Sequence, residues 1–334
     1  MTTVIETYSA ESVSEASELL KRGELVAIPT ETVYGLAANA LNENAVRKIF
    51  NAKGRPQDNP LIVHIADLDM LPPLVREIPD IAKRLAERFW AGPLTMIFPK
   101  SDKIPDVTSG GLDTVAVRMP ESAAARDIIK KCGFPLAAPS ANLSGKPSPT
   151  AAQHVFEDMN GKIPLIIDGG ECAVGVESTV ICFKDSRIHI LRPGGITAEM
   201  LSEFGEVEID RAVTVQPEKG ERVLSPGMKY KHYSPKADVF IVNAHGERFA
   251  EYCAKRAESE SGLIALGAGV SEVGVFLDYG ATPEIQAQRL FALLRHADEI
   301  GAKTVLVEIP DTDGVGLAVY NRLLRAAAFR RIDI

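Results

Sequence analysis

An arginine inside an apolar strand needs a chemical reason. In SGGLDTVAVRMP (residues 109–120) Arg118 falls within such a strand, behind a Gly110-Gly111 pair that permits close backbone approach. A buried guanidinium is costly unless it meets an anion. A second cluster lies in KGRPQDNPLIVHI (53–65): Lys53, Arg55 and Asn59 precede the apolar run Leu61-Ile62-Val63, which His64 interrupts. PTETVYGLAANA (29–40) sets Thr30, Glu31 and Thr32 directly after the first strand. PSANLSGKPSPT (139–150) is dense in hydroxyls and glycine, and ESTV (177–180) and LRPGG (191–195) put a hydroxyl and an arginine at strand termini. Singly, each stretch reads as a helix cap, a turn, a solvated loop or a satisfied core histidine. Together, the six loops describe a polyanion pocket at a sheet edge. Arg55, Arg118 and Arg192 supply the planar fork that matches carboxylate and phosphate.

Familiar nucleotide and hydrolase signatures do not account for this set. SGKPS (144–148) resembles the tail of a phosphate-binding P-loop, but Ser140 stands where the first glycine belongs and Pro147 replaces the Ser/Thr. There is no GxGxxG after a strand, no HExxH and no GxSxG. The chemistry implied is positioning and charge neutralisation rather than attack by a side chain.

Composition narrows the class. The 334 residues are 46% apolar and 25% charged, ordinary for a folded protein and long enough for two domains. The formal net charge of −8 argues against a general nucleic-acid binder, so any anion must be held by a local cluster of cations. Cys132, Cys172, Cys182 and Cys253 are scattered, with neither CxxC spacing nor histidines at metal-ligand spacing. That fits reduced thiols in a cytoplasmic protein. No apolar run reaches membrane-spanning length, and the first twenty residues are acidic and amphipathic.

The elements that must carry these residues alternate along the chain. Helices are predicted at 12–22, 43–52, 79–90, 121–133, 150–160 and 197–204, the fourth stopped by Gly133. Between them fall the strands GELVAIPT, LIVHI, LTMIFPK, TVAVRMP, PLAAPSAN and PLIIDGG, and a hairpin of STVICF and RIHILRPG joined by KDS. The pattern predicts an α/β fold, a twisted mixed sheet with packed helices, in a domain spanning 1–205. Residues 206–236, ending in LSPGMKYKHYSPK, read as a linker. A smaller, Rossmann-like parallel α/β domain follows at 237–334, with helices at 283–300 and 314–329.

PTETVYGLAANA, KGRPQDNPLIVHI, LTMIFP, DTVAVRMP, PLAAPSANLSGKPSPT, GVESTVI and LRPGGIT resemble, in order and spacing, the threonylcarbamoyl-AMP synthase family, whose core is the YrdC-like domain. The resemblance covers roughly residues 5–200, and the linker with the C-terminal domain resembles the family's long form. It implies that L-threonine, bicarbonate (or CO2) and ATP give threonylcarbamoyl-adenylate and pyrophosphate. The adenylate would pass to a downstream tRNA threonylcarbamoyl transferase complex, for N6-threonylcarbamoylation of adenosine 37 in ANN-decoding tRNAs.

On this resemblance Thr32, His64, Arg118, Ser178 and the backbone of Ala138 hold threonine, with Arg118 on its carboxylate. Lys53, Arg55, Asn59, Thr114, Ser140, Ser148 and Arg192 hold ATP, and His232 with Tyr230 closes over the nucleotide. Mg²⁺ rides on the triphosphate, with no metal site from the protein itself. SPGMKYKHYSP (225–235) is expected to act as a lid whose tyrosines pack on the pocket rim. No membrane contact and no stable nucleic-acid binding are expected. The main alternative is a non-catalytic RNA-binding module, against which the acidic balance and the lack of aromatic stacking blocks count. Carbamoyl transfer, as in hydrogenase-maturation relatives, would need acylphosphatase and zinc-finger segments absent here.

Overall fold

The computed structural model describes residues 2–216, 233–269 and 274–334. In the first part of the chain the strands are β1 (Val4–Thr7), β2 (Val26–Ile28), β3 (Gly35–Asn39), β4 (Ile62–His64), β5 (Leu94–Pro99), β6 (Thr114–Arg118), β7 (Leu136–Ala137), β8 (Leu165–Asp168), β9 (Thr179–Lys184), β10 (Arg187–Arg192) and β11 (Val207–Ile209). Its helices are α1 (Ala10–Lys21), α2 (Glu43–Lys53), α3 (Asp80–Phe89), α4 (Asp106–Ser109), α5 (Ala123–Cys132), α6 (Ala152–Met159) and α7 (Ala198–Ser202). Local chemistry sets the helix ends. Ser9 closes a capping box with Ser12, Asn42 and Ser122 cap α2 and α5, and Gly54 and Gly133 take the left-handed conformation that ends those two helices.

The strands form one sheet in the order β1-β8-β2-β3-β7-β4-β6-β5-β9-β10-β11. Pairing is mixed: β2 and β4 run parallel to β8 and β6, whereas β2/β3, β3/β7, β5/β6 and β9/β10 are antiparallel. Alternate residues feed opposite faces. Val26 and Ile28 pack with α1 and α5, while Ala27 joins the core built on Val46, Ile49 and Phe50 of α2 and on Val155 and Met159 of α6. Being covered on both faces, these strands lack the period-two alternation that a half-exposed strand shows. The β9–β10 hairpin turns at Asp185 and Ser186, both at positive φ, as a two-residue turn of matching twist requires.

The second unit holds β12 (Asp238–Asn243), β13 (Leu263–Gly267), β14 (Phe276–Asp278), β15 (Thr304–Glu308) and β16 (Arg331–Asp333), with α8 (Gly246–Ala257), α9 (Pro283–Glu299) and α10 (Gly316–Ala326). All its strand pairs are parallel, in the order β14-β13-β15-β12-β16. Phe249 and Cys253 of α8 pack on one face of this sheet; Leu290, Phe291 and Leu294 of α9 and Leu323 of α10 pack on the other.

The predicted α/β architecture, a mixed sheet with packed helices followed by a smaller parallel one, is the one observed. Within it, β3 occupies part of a stretch expected to be a turn, and β11 adds an edge strand from residues read as linker. Val33 and Val176, both from the first part of the chain, are buried in the second unit's core.

Candidate active site

Strand register assembles the centre of the site. β4, β6 and β5 are neighbours, with His64 opposite Arg118 and Arg118 opposite Thr95. β9 continues from β5, bringing Ser178, just before Thr179, to Thr95; their hydroxyl oxygens are 2.7 Å apart. Arg192, closing β10, pairs with Val180 and lies beside the same serine. The loop after β2 supplies Thr30 and Thr32, and the loop after β7 supplies Ala138, Ser140 and Asn142. Together with Arg55, Glu177 and Tyr233 these residues line a cleft of about 630 Å³, counted to its open mouth.

Arg118 is the most constrained of them. It is 4% exposed and donates from Nη2 to Glu31 Oε1 at 2.5 Å, from Nη1 to Thr32 Oγ1 at 2.8 Å and from Nε to Gly92 O at 3.2 Å. A guanidinium has five N–H groups. Among the described residues three are committed, which leaves two to the cleft that Arg118 lines. Glu31 is itself fixed by the Glu121 amide, 3.0 Å from Oε2, so the pair is rigid. Thr32 Oγ1 lies between Arg118 and Thr30 Oγ1, 2.9 Å away.

His64 is buried with Nδ1 3.2 Å from Ile62 O. Burial first, and the Arg118 charge second, bring its pKa down to about 3, so the imidazole is neutral at physiological pH. Ser178 Oγ also accepts from Arg192 Nη2 at 3.2 Å, while Arg192 Nε donates to Ser178 O at 3.1 Å. Burial lowers Arg192 to about 10, still a cation at neutral pH.

The expected nucleotide residues are arranged less uniformly. Arg55 and Ser140 line the cleft; Lys53, Asn59, Thr114 and Ser148 do not. Lys53 is buried beneath the 139–148 loop, where Nζ donates to Ser140 O and, at 2.6 Å, to Asn142 O. Burial, then the charge of Arg55, hold its pKa well below the usual lysine value. Its Nζ braces the loop from below. Ser148 reaches the cleft at one remove, donating to Glu177 Oε1 at 2.5 Å. Thr114 begins β6, roughly 13 Å along the strand from Arg118 at about 3.3 Å per residue. Ala138 donates its N–H to Ile62 O at 3.0 Å, so its backbone offers a ligand only the carbonyl. Tyr230 and His232 lie outside the described residues. Tyr233 is described: it is buried, lines the cleft, and stacks 5.2 Å from the Phe291 ring of α9.

Among the described residues, Asn59 Nδ2 and Asn142 Oδ1 are buried polar atoms of these loops without a hydrogen-bond partner. An unmet buried donor or acceptor costs about 1–3 kcal/mol, a cost that a bound polar ligand can remove.

Sequence reading missed four residues of the site: Glu31, Glu177, Asn142 and Arg322. The first three stand inside motifs already noted, but their partners come from other strands. Arg322 carries a usable signal. Like Arg118, it is a charge inside an apolar run, LAVYNRLLRAAA (317–328).

Residues 18–194 match the family model Sua5_yciO_yrdC, described as "Telomere recombination", and residues 196–328 match the threonylcarbamoyl-AMP synthase C-terminal domain. The chain is 48% identical to a threonylcarbamoyl-AMP synthase of Pyrococcus abyssi, covering 96% of this chain and 95% of the relative. It is 46% identical to that of Bacillus subtilis, covering 96% and 94%. Its structure is similar to that of Pyrococcus abyssi Sua5 complexed with L-threonine, with a TM-score of 0.92 at 47% identity over 100% of this chain and 99% of that one. Seven collinear motifs, both domain models and a full-length structural match agree, and the chain belongs to the threonylcarbamoyl-AMP synthase family.

Proposed function

We propose that this protein condenses L-threonine, bicarbonate or CO2, and ATP into threonylcarbamoyl-adenylate and pyrophosphate, the activated intermediate of a tRNA adenosine modification. The threonine amine and CO2 form a carbamate with loss of a proton. A carbamate oxygen then attacks the α-phosphorus, and the bond to the bridging oxygen of the β-phosphate breaks, releasing pyrophosphate. Such a displacement needs alignment and neutralised charge more than a nucleophilic side chain.

The observation that carries the reading is Arg118. Its two remaining N–H groups, on a cleft wall beside Thr32 and neutral His64, suit an amino-acid carboxylate. Thr32, His64 and Ser178 are proposed to receive the threonine side chain, and the carbonyl of Ala138 its amino group. Arg55, Arg192 and the loop of Ser140 are proposed for the phosphates, with Asn59 and Ser148 supporting that side and Lys53 bracing the loop. Thr114 is assigned no contact. Glu177, the carboxylate that lines the cleft, and Glu31 behind Arg118 are already committed to Arg322 and Arg118. Mg²⁺ is therefore proposed to sit on nucleotide phosphate oxygens, where it would neutralise charge on the leaving pyrophosphate. The product is proposed to pass to a tRNA threonylcarbamoyl transferase complex, and the protein to work in the cytoplasm.

The test is pyrophosphate release from ATP by the full-length chain. Release that requires both threonine and bicarbonate supports the reading. Release independent of threonine, or none at all, overturns it.

A further inference from the structure

Arg322 heads the largest wholly buried side chains among the described residues, and it points out of its own domain. It sits on α10, yet Nε donates to Glu177 Oε2 at 2.8 Å, Nη2 to Glu177 O at 3.0 Å and Nη1 to Pro193 O at 2.9 Å. Its bond to Asn321 Oδ1, at 2.9 Å, is local. Glu177 immediately precedes Ser178, and Pro193 immediately follows Arg192. One guanidinium thus ties together the two strand ends that carry two cleft residues. Glu177 passes the restraint on by accepting Ser148 through its other oxygen. Val176, beside Glu177, is buried in the second domain's core, so the backbone here is held as well.

We propose that Arg322 is a positioning residue of the cleft, through which the second domain fixes Glu177 and thereby the placement of Ser148, Ser178 and Arg192. The inference rests on the function proposed above. Its physical basis is that a buried carboxylate stripped of its partner finds another. Burial tends to raise the Glu177 carboxyl, and Arg322, Arg192 and the Ser148 hydroxyl hold it below the usual value. Among the described residues, Tyr233 and Lys53 also feel its charge. With Arg322 gone, Arg192 is, among the described residues, the arginine that still acts on Glu177. Its capture would draw it off Ser178, to which it now donates twice. The second domain therefore does more than cover the first.

The experiment compares wild type, Arg322→Met and Arg322→Met/Glu177→Gln as full-length chains, measuring pyrophosphate release against ATP and threonine, with thermal unfolding alongside. Arg322→Met should lower kcat/KM by about tenfold or more. The loss should be smaller near pH 6 than near pH 8, because a proton on Glu177 cancels the stranded charge. Adding Glu177→Gln should restore much of the activity and flatten the pH dependence. If Arg322→Met does not fold, Arg322→Lys keeps the charge but not the fork, and a lowered, pH-independent kcat/KM in a folded protein supports the proposal. Wild-type kinetics in Arg322→Met overturn it. So does a loss that is constant with pH, unrescued by Glu177→Gln and matched by a lower melting temperature, which marks a brace for stability alone. A wild-type chain that releases no pyrophosphate refutes the functional reading instead.

Discussion

Glu31 holds Arg118 at 2.5 Å, with side chains 6% and 4% exposed. The pair fixes the guanidinium plane before any ligand arrives, which lowers the ordering cost of binding. Arg118→Ala should reduce kcat/KM for threonine by roughly 2–5 kcal/mol in transition-state terms, as for truncating a desolvated charge pair. Steady-state kinetics at varied threonine check this, and unchanged threonine dependence would remove Arg118 from the site. Glu31→Gln, which keeps a hydrogen-bond acceptor, should produce a smaller loss.

Thr32, His64 and Ser178 offer polar contacts where a threonine hydroxyl is proposed to lie. A pocket built to bond a hydroxyl can reject an analogue lacking it by about 10⁴-fold, whereas loss of one methyl costs roughly 10–200-fold. Valine should therefore fail as a substrate where serine is merely poor. Competition assays with the three amino acids decide it, and equal use of valine and threonine would show that these groups serve another purpose.

Burial of His64 has a consequence for acid stability. The folded imidazole stays neutral down to about pH 3, whereas the unfolded one takes up a proton below the ordinary value of about 6.5. The unfolded state thus binds more protons between those limits. Stability is fully present above the window and falls as pH drops through it, by up to about 1.4 kcal/mol per pH unit. Relative to His64→Asn, wild type should lose roughly 2–3 kcal/mol more between about pH 7.5 and 4.5 in urea unfolding. His154, which burial brings down to about 4, contributes in the same direction, so His154→Asn is the matched control. Parallel pH curves for wild type and His64→Asn would show that His64 does not titrate in this way.

Gly175 marks a close approach between the two domains. It has φ +77°, and a Cβ there would lie 2.3 Å from Gln288 Cα of α9. Neither backbone can yield easily, so Gly175→Ala should destabilise the protein by about 1–3 kcal/mol or more. Thermal unfolding tests this, and an unshifted midpoint would mean that the domains do not dock as described.

Much of this was legible in the sequence, for reasons that differ element by element. The β9–β10 hairpin announces itself because Lys184-Asp185-Ser186 separates two apolar runs. Arg118 stands out because a charge in an apolar strand has few explanations. β3 was hidden: Gly35-Leu36-Ala37-Ala38 is covered on both faces, so no alternation distinguishes it from a turn. β7, two residues long, is defined by its neighbours on either side. Glu31 and Glu177 were passed over because a carboxylate's meaning depends on its partner. Those partners, Arg118 and Arg322, are brought to them by the sheet and by a second domain.

The placement of β8 between β1 and β2 bears on how the protein is made. β2 leads straight into Thr30, Glu31 and Thr32, yet Val26 and Ala27 take their parallel partners from Leu165 and Ile166. As the chain leaves the ribosome, that edge of β2 must wait for all the strands between to be synthesised. Pairings so distant in sequence slow folding and leave apolar edges open in the meantime. The hydroxyl-bearing wall of the cleft is thus translated well before the strand that secures it, and that interval of synthesis is when this edge most needs protection from aggregation.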